Sequence, residues 1–305
     1  MYLGAHVGIA DGLAEAPVTG KRIGCESIQI FSKSPQMWNG PPTSPEAAVA
    51  FRDAVRREGI RATAVHHGYL ANLASPKAEM LERSRRAFRD ELARAELLGV
   101  DALIFHPGAH LSSGVEAGVR TLVESLTAII DEHPDGKVRI LLENAAGQGT
   151  TLGSRFEELA EVLHRVDRPG RLGFTLDTCH LFASGVDFRT DEGYGELGDR
   201  IDAVLGRDNV RAFHLNDAKA ELGSHLDRHE NIGRGEIGIE GFRRVVNDRR
   251  WSGVPGYLET PLDEGSYGRY ETDLATLRGL VAGAPEPAAV ARKPARARRA
   301  SSTVK

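Results

Sequence analysis

Eight short apolar, β-rich runs recur along the chain and constrain its fold more than any other feature: YLGAHV from Tyr2, SIQIFS from Ser27, RATAVHH from Arg61, ALIFHP from Ala102, RILLEN from Arg139, LGFTLD from Leu172, VRAFHLN from Val210 and PGYLET from Pro255. Most are apolar almost throughout instead of alternating, which is the pattern of parallel strands buried on both faces. Helical patterns lie between them. One is predicted to open with Ser75 as N-cap and Pro76 in the first turn, to place Leu81, Phe88, Leu92 and Ala95 on one face, and to stop at Gly99. Eight strand–helix units predict an α/β fold, a (β/α)8 TIM barrel, with a doubly wound open sheet as the weaker alternative. A chain of 305 residues accommodates one such barrel of about 250 residues.

Polarity enters these runs at their C-terminal ends. Six of them end in a residue type that ligates metals: His66, His106, Glu143, Asp177, His214 and Glu259, with successive gaps of 40, 37, 34, 37 and 45 residues. In a parallel barrel those ends share one rim, where active sites form, so side chains far apart in sequence converge. Any single strand-end histidine can serve only to bond a backbone carbonyl; six that agree in position and chemistry are harder to explain that way. Three more candidates join them: His180 in DTCH, and Asp227 and His229 in DRH, at the end of the loop FHLNDAKAELGSHLDRH, residues 213–229. Histidine with carboxylate suits Zn2+ or Mn2+, whereas Ca2+ and Mg2+ prefer oxygen shells. Nine ligands are too many for one ion and about right for three. Of the remaining histidines, His133 and His164 are expected to be solvated on helices, and His6, His67, His110 and His225 to lie near the rim outside the ligand pattern.

Three segments, HHGYLANLA, GFTLDTCH and FHLNDAKAELGSHLDRH, resemble the signature segments of the endonuclease IV family of apurinic/apyrimidinic (AP) endonucleases, and the likeness runs from YLGAHVG to YLETP. The resemblance implies that His66 and His106 hold one zinc, that Glu143 bridges it to a second held by Asp177, His214 and Glu259, and that His180, Asp227 and His229 hold a third. It implies an enzyme of base excision repair that cleaves DNA 5′ to an abasic site, leaving a 3′-hydroxyl and a 5′-deoxyribose phosphate, with removal of 3′-blocking groups also expected. The chemistry agrees. A phosphodiester is anionic and repels nucleophiles, so its hydrolysis benefits from an activated water, neutralised oxygens and a stabilised leaving group, all of which paired ions supply. Glu143 is accordingly the expected catalytic residue.

Contact with double-stranded DNA is expected from loops on the same rim. Gln36 and Trp38 in SKSPQMWNGPP could enter the gap at a lost base, and Tyr69 could stack or wedge; Trp38 could instead anchor its loop on the barrel. The family pattern K-x-x-R-x-W has Arg where this chain has Gln36, which removes a positive charge from that contact. The runner-up reading is a single-metal sugar isomerase or epimerase of the same barrel type, for which Glu143, Asp177, His214 and Glu259 suffice. It leaves the other five candidates without a role. A third is an inert protein that binds damaged DNA or stores zinc.

Composition bounds the rest. Net charge is −4, yet residues 284–305 carry six Lys or Arg against one Glu, so the 1–283 barrel sums to −9 beside a tail of +5. A tail rich in Pro, Ala and Arg cannot bury enough apolar surface to offset the entropy of ordering and is expected to be disordered. Two isolated cysteines, Cys25 and Cys179, fit a reducing compartment. With no signal-like N-terminus and no apolar run of about 18 residues, a cytoplasmic monomer away from membranes is expected.

Overall fold

The computed structural model describes residues 1–282, and the expected boundary at 283 and the basic tail lie outside them. Each of the eight apolar runs forms a strand: β1 (Tyr2–His6), β2 (Ser27–Ile30), β3 (Ala62–His66), β4 (Ala102–Phe105), β5 (Arg139–Glu143), β6 (Leu172–Asp177), β7 (Val210–His214) and, after a short antiparallel ribbon of β8 (Asp217–Ala218) and β9 (His229–Glu230), β10 (Pro255–Leu258). The eight long strands close a barrel in the order β1, β10, β7, β6, β5, β4, β3, β2, every neighbouring pair parallel. The (β/α)8 expectation holds, and the open sheet is excluded.

Strand alternation sorts the side chains into two cores. Outward residues such as Leu103, Phe105, Leu142, Phe174 and Phe213 pack under the helices. Inward residues Ala64, Ala102, Ile104, Leu141, Ala212 and Tyr257 form a separate plug inside the barrel. Two residues further along the same strands, on the same inward face, come His66, His106, Glu143, His214 and Glu259, with Asp177 two beyond Thr175. Because a step of two keeps the face and advances roughly 6.6 Å along the strand, the ligand types form a layer directly above the plug. The two strands without such an end, β1 and β2, turn His6 and Gln29 into the same space.

The helix after β3 starts later than its sequence suggests. It spans Ala78–Leu98 with Lys77 at the N-cap and no side-chain cap. Ser75 is buried and its Oγ accepts from the Lys77 N–H at 3.2 Å, closing a turn ahead of the helix and leaving Pro76 outside it. Phe88, Leu92 and Ala95 are fully buried, Leu81 only partly. Gly99, at φ +68°, closes the helix, its N–H reaching the Ala95 and Glu96 carbonyls. His133 likewise lies just past its helix, Val115–Asp131, and is half-buried, its carbonyl taken by Arg171; His164 is exposed on the helix Phe156–Val166, as expected. No helix among the described residues is long and apolar enough to cross a membrane.

Barrel closure between β1 and β2 depends on Gly4, where an added Cβ would lie 1.8 Å from the Ser27 carbonyl oxygen. Backbone must move to admit a methyl group there, and overpacking of this kind typically costs about 1–3 kcal/mol or more. Gly4→Ala is therefore expected to lower the denaturant midpoint by at least that equivalent, measured by circular dichroism, whereas Ala at Gly59, which meets no atom within 4 Å, should bring backbone strain alone.

Candidate metal centre

Glu143 sits at the middle of the inward layer, 1% exposed, and its two oxygens face different neighbours. Oε1 lies 2.9 Å from His214 Nδ1 and 3.3 Å from His180 Nδ1; Oε2 lies 3.1 Å from His66 Nε2 and 3.7 Å from His106 Nε2. Three carboxylates converge on His214 Nδ1, with Glu259 at 3.4 Å and Asp177 at 3.8 Å besides Glu143. A further group forms where Asp227 spans His180 Nε2 and His229 Nε2, each at 3.2 Å. All nine sequence-derived candidates thus meet at one rim, in groups that include His66, His106 and Glu143; Glu143, Asp177, His214 and Glu259; and His180, Asp227 and His229.

Local structure explains why residues near in sequence arrive together. Asp177 ends β6 and caps the short helix Thr178–Ala183, its carboxylate accepting the His180 N–H at 2.8 Å. The cap turns the chain so that His180, three residues on, returns to the rim. The ribbon of β8 and β9 does the same for His229, and Asp217 ties its base by accepting backbone N–H groups from Ala218, Gly233, Gly235, Ile237 and Gly238. Asp217 therefore serves the loop instead of the cluster. His225, at φ +56°, hydrogen-bonds the Ala146 carbonyl at 3.1 Å and stays outside the cluster, as expected.

Hydrogen bonds to backbone carbonyls decide which nitrogen of three of these rings carries the proton. His66 Nδ1 donates to the His67 carbonyl, His180 Nδ1 to the Asn144 carbonyl and His229 Nδ1 to the Glu259 carbonyl, at 2.7, 2.8 and 3.2 Å. A neutral ring that donates through Nδ1 presents a lone pair at Nε2. Among the described residues the buried Nε2 atoms of His180 and His229 have no hydrogen-bond partner, and each faces a carboxylate oxygen of Asp227. Lone pair against lone pair is repulsive, and only positive charge between them resolves it. Where protons must supply that charge, Asp177, Asp227 and Glu143 overcome burial and hold His180 well above the usual histidine range; against the same burial, Asp227 and Asp177 push His229 up to about 9. Divalent cations satisfy the same demand, and histidine with carboxylate is their donor set; the residues fit metal ions. Cys179 stands near Asp177 and His229, but burial pushes its thiol up to about 12 and its S–H is directed at the Arg228 carbonyl, so it offers no thiolate.

Several polar residues at the centre were not singled out from sequence. Asn216 donates to Asp177 Oδ2 at 2.7 Å and accepts the Glu259 N–H at 2.8 Å; Asn144 accepts the Asp177 N–H at 2.6 Å. Gln29 donates to Glu259 at 2.6 Å and contacts His214 and His6. The available signal was a buried-strand run, SIQIF, interrupted by one amide. His6, read as outside the pattern, lies 3.5 Å from Glu259 Oε1.

Tyr69 is 63% exposed at the mouth, its ring edge-on to Phe31 and within 6.0 Å of the His66 and His106 rings. Gln36 is exposed; Trp38 is half-buried with the Arg83 guanidinium 4.2 Å above its ring. That loop is pinned to the helix Ala78–Leu98, where Lys33 pairs with Glu91 at 2.6 Å and Arg94 donates to the Gly40 and Pro41 carbonyls.

Comparison with known proteins agrees with this fold. A family model described as a xylose isomerase-like TIM barrel matches residues 19–280. "Probable endonuclease 4" of Chloroflexus aurantiacus (strain J-10-fl) is 44% identical over 281 residues, spanning 92% of this chain and 98% of the relative. The crystal structure of endonuclease IV from Thermus thermophilus superposes with a TM-score of 0.80 at 33% identity, covering 92% of this chain and 98% of that one. A 3-keto-D-glucoside 4-epimerase from E. coli superposes at 0.65 with 14% identity over 91% of this chain and 99% of its own, a likeness of fold alone.

Charge compensation at the rim gives a direct expectation. Ions that bind only the folded rim stabilise it by mass action, by about 2.7 kcal/mol for each site at a hundredfold excess over its dissociation constant. Stripping with chelator should lower the thermal midpoint and zinc should restore it; a midpoint indifferent to both would contradict the site.

Proposed function

The chain belongs to the endonuclease IV family of AP endonucleases, and we propose from that membership and the rim cluster that it is a hydrolase cutting the DNA phosphodiester 5′ to abasic sites, with three Zn2+ per chain, leaving a 3′-hydroxyl and a 5′-deoxyribose phosphate. The observation that carries this reading is the third group. A single-metal isomerase has use for Glu143, Asp177, His214 and Glu259, and none for His180, Asp227 and His229 aimed at one another beside them. Mn2+ suits the same donors at some positions. Removal of 3′-blocking groups, a place in base excision repair and a cytoplasmic location belong to the same proposal.

In this reading His66 and His106 would hold one ion, Asp177, His214 and Glu259 a second with Glu143 shared between the two groups, and His180, Asp227 and His229 the third. Ions bound there would lower the pKa of a water toward about 7 and offset charge on the phosphate. The chain's own residues supply position. Glu143 presents one oxygen to each side, so a single rigid carboxylate on β5 sets the spacing between the groups. Burial of His66, Asp177 and His214, each at most 1% exposed, keeps bulk water out of the floor of the site, while His106, its side chain 34% exposed, leaves one side open to substrate. We assign Tyr69 to stacking at the lesion and Gln36 to the minor-groove approach. Trp38 holds the exposed Arg83 beside the same loop, where its guanidinium meets DNA phosphates and compensates for the charge that Gln36 lacks.

Glu143→Gln keeps shape and removes a charge. Single-turnover incision of an abasic duplex is expected to fall by several orders of magnitude while binding to that duplex persists; near-normal incision would refute the dinuclear arrangement. His229→Ala separates the third group: elemental analysis should find about one zinc fewer per chain with turnover reduced, and full metal content would show that His229 is not a ligand.

A further inference from the structure

Gln29 is fully buried on the inward face of β2, a strand that contributes no ligand, and its amide lies between the His214 and Glu259 side chains. A carboxylate can only accept hydrogen bonds, so the contact of 2.6 Å to Glu259 Oε1 assigns that side of the amide to Nε2–H. The amide oxygen is thereby turned to His214 Nε2 at 2.8 Å and must accept from it. His214 then carries its proton on Nε2 and presents Nδ1 to Glu143, Glu259 and Asp177. The second amide hydrogen is directed at His6 Nδ1, 2.9 Å away.

This is the reverse of its neighbours. His66, His180 and His229 each donate through Nδ1 to a backbone carbonyl and present Nε2. For His214 no backbone carbonyl among the described residues fills that role, and a side chain from another strand replaces it. We infer that Gln29 is a positioning residue for the metal centre: it fixes His214 as an Nδ1 ligand and leaves Glu259 Oε2 as the oxygen turned to the same ion. A residue in this position changes the affinity of one ion and leaves the others alone. The inference rests on the metal-binding reading above, and its test separates the two.

The direct test uses the zinc-loaded full chain labelled with 15N-histidine. Long-range 1H–15N spectra are expected to show His214 protonated at Nε2 and bound through Nδ1, with His66, His180 and His229 the other way round. Binding of His214 through Nε2 in a protein that holds zinc would overturn the inference and leave the metal reading intact, whereas a protein that holds no zinc would fail that earlier reading instead. In variants, Gln29→Leu removes both contacts, and Gln29→Glu keeps an acceptor for His214 while setting a second carboxylate against Glu259. After a fixed chelator challenge, followed by elemental analysis and checked by circular dichroism, both should retain two of three ions normally. The remaining ion should be held about 10- to 100-fold more weakly, the usual effect of losing such a support. Wild-type retention of all three ions in a folded Gln29→Leu protein, or equal loss of all three, would contradict the assignment.

Discussion

Three carboxylates, those of Glu143, Asp177 and Glu259, point at one imidazole nitrogen, His214 Nδ1, inside a closed barrel. Taking that much negative charge out of water is unfavourable unless positive charge accompanies it, and the surrounding structure is organised around this demand. The strands bring the carboxylates in because alternation leaves them no other face. Asn216 holds an Asp177 oxygen, Gln29 holds a Glu259 oxygen and His214 Nε2, and the Asn144 backbone carbonyl holds His180 Nδ1, which leaves His214 Nδ1 and His180 Nε2 turned to carboxylates. In the absence of ions, histidines take up the charge as protons: against burial, Glu143 and Glu259 push His214 up to about 9. Metal ions answer the same demand without a proton, which is why the donor set and the electrostatics lead to one conclusion.

Much of this was legible in the sequence because two periodicities coincide. Runs buried on both faces announce the strands, and a ligand type at the same place in six of them announces the rim; β3, β5, β6 and β7 end on His66, Glu143, Asp177 and His214 themselves, and His106 and Glu259 follow β4 and β10 by one residue. The supporting residues were less legible. Asn144, Asn216 and Gln29 act through side-chain orientation, which spacing does not encode, and an amide next to a ligand position reads equally well as a strand end. Ser75 illustrates a different failure: Ser followed by Pro is a good helix start locally, but tertiary burial of the hydroxyl uses it to close a turn two residues short of the helix.

In the proposed function the loops would divide the labour between holding metal and meeting substrate. Segments that return to the rim are tied by buried polar anchors, Asp177 for His180 and Asp217 for the ribbon bearing His229. The loop with Gln36 and Trp38 is anchored to the neighbouring helix by the Lys33–Glu91 pair and by Arg94, so what it exposes is a fixed edge. Tyr69 stands over the His66 and His106 rings, three residues beyond the end of β3, so in the proposed function a sugar admitted beside it would lie within reach of the cluster. If that edge meets DNA as proposed, its rigid connection to the ligands would leave little rearrangement needed to bring a phosphodiester into position.

The claim on which everything else rests is that this rim holds three ions in separate but adjoining groups. Anomalous diffraction at the zinc edge, from crystals of the full chain grown with zinc, measures it directly. The account predicts three peaks: one between His66, His106 and Glu143, one among Glu143, Asp177, His214 and Glu259, and one among His180, Asp227 and His229. A single peak confined to the Asp177, His214 and Glu259 group, with the other histidines bare, would contradict it.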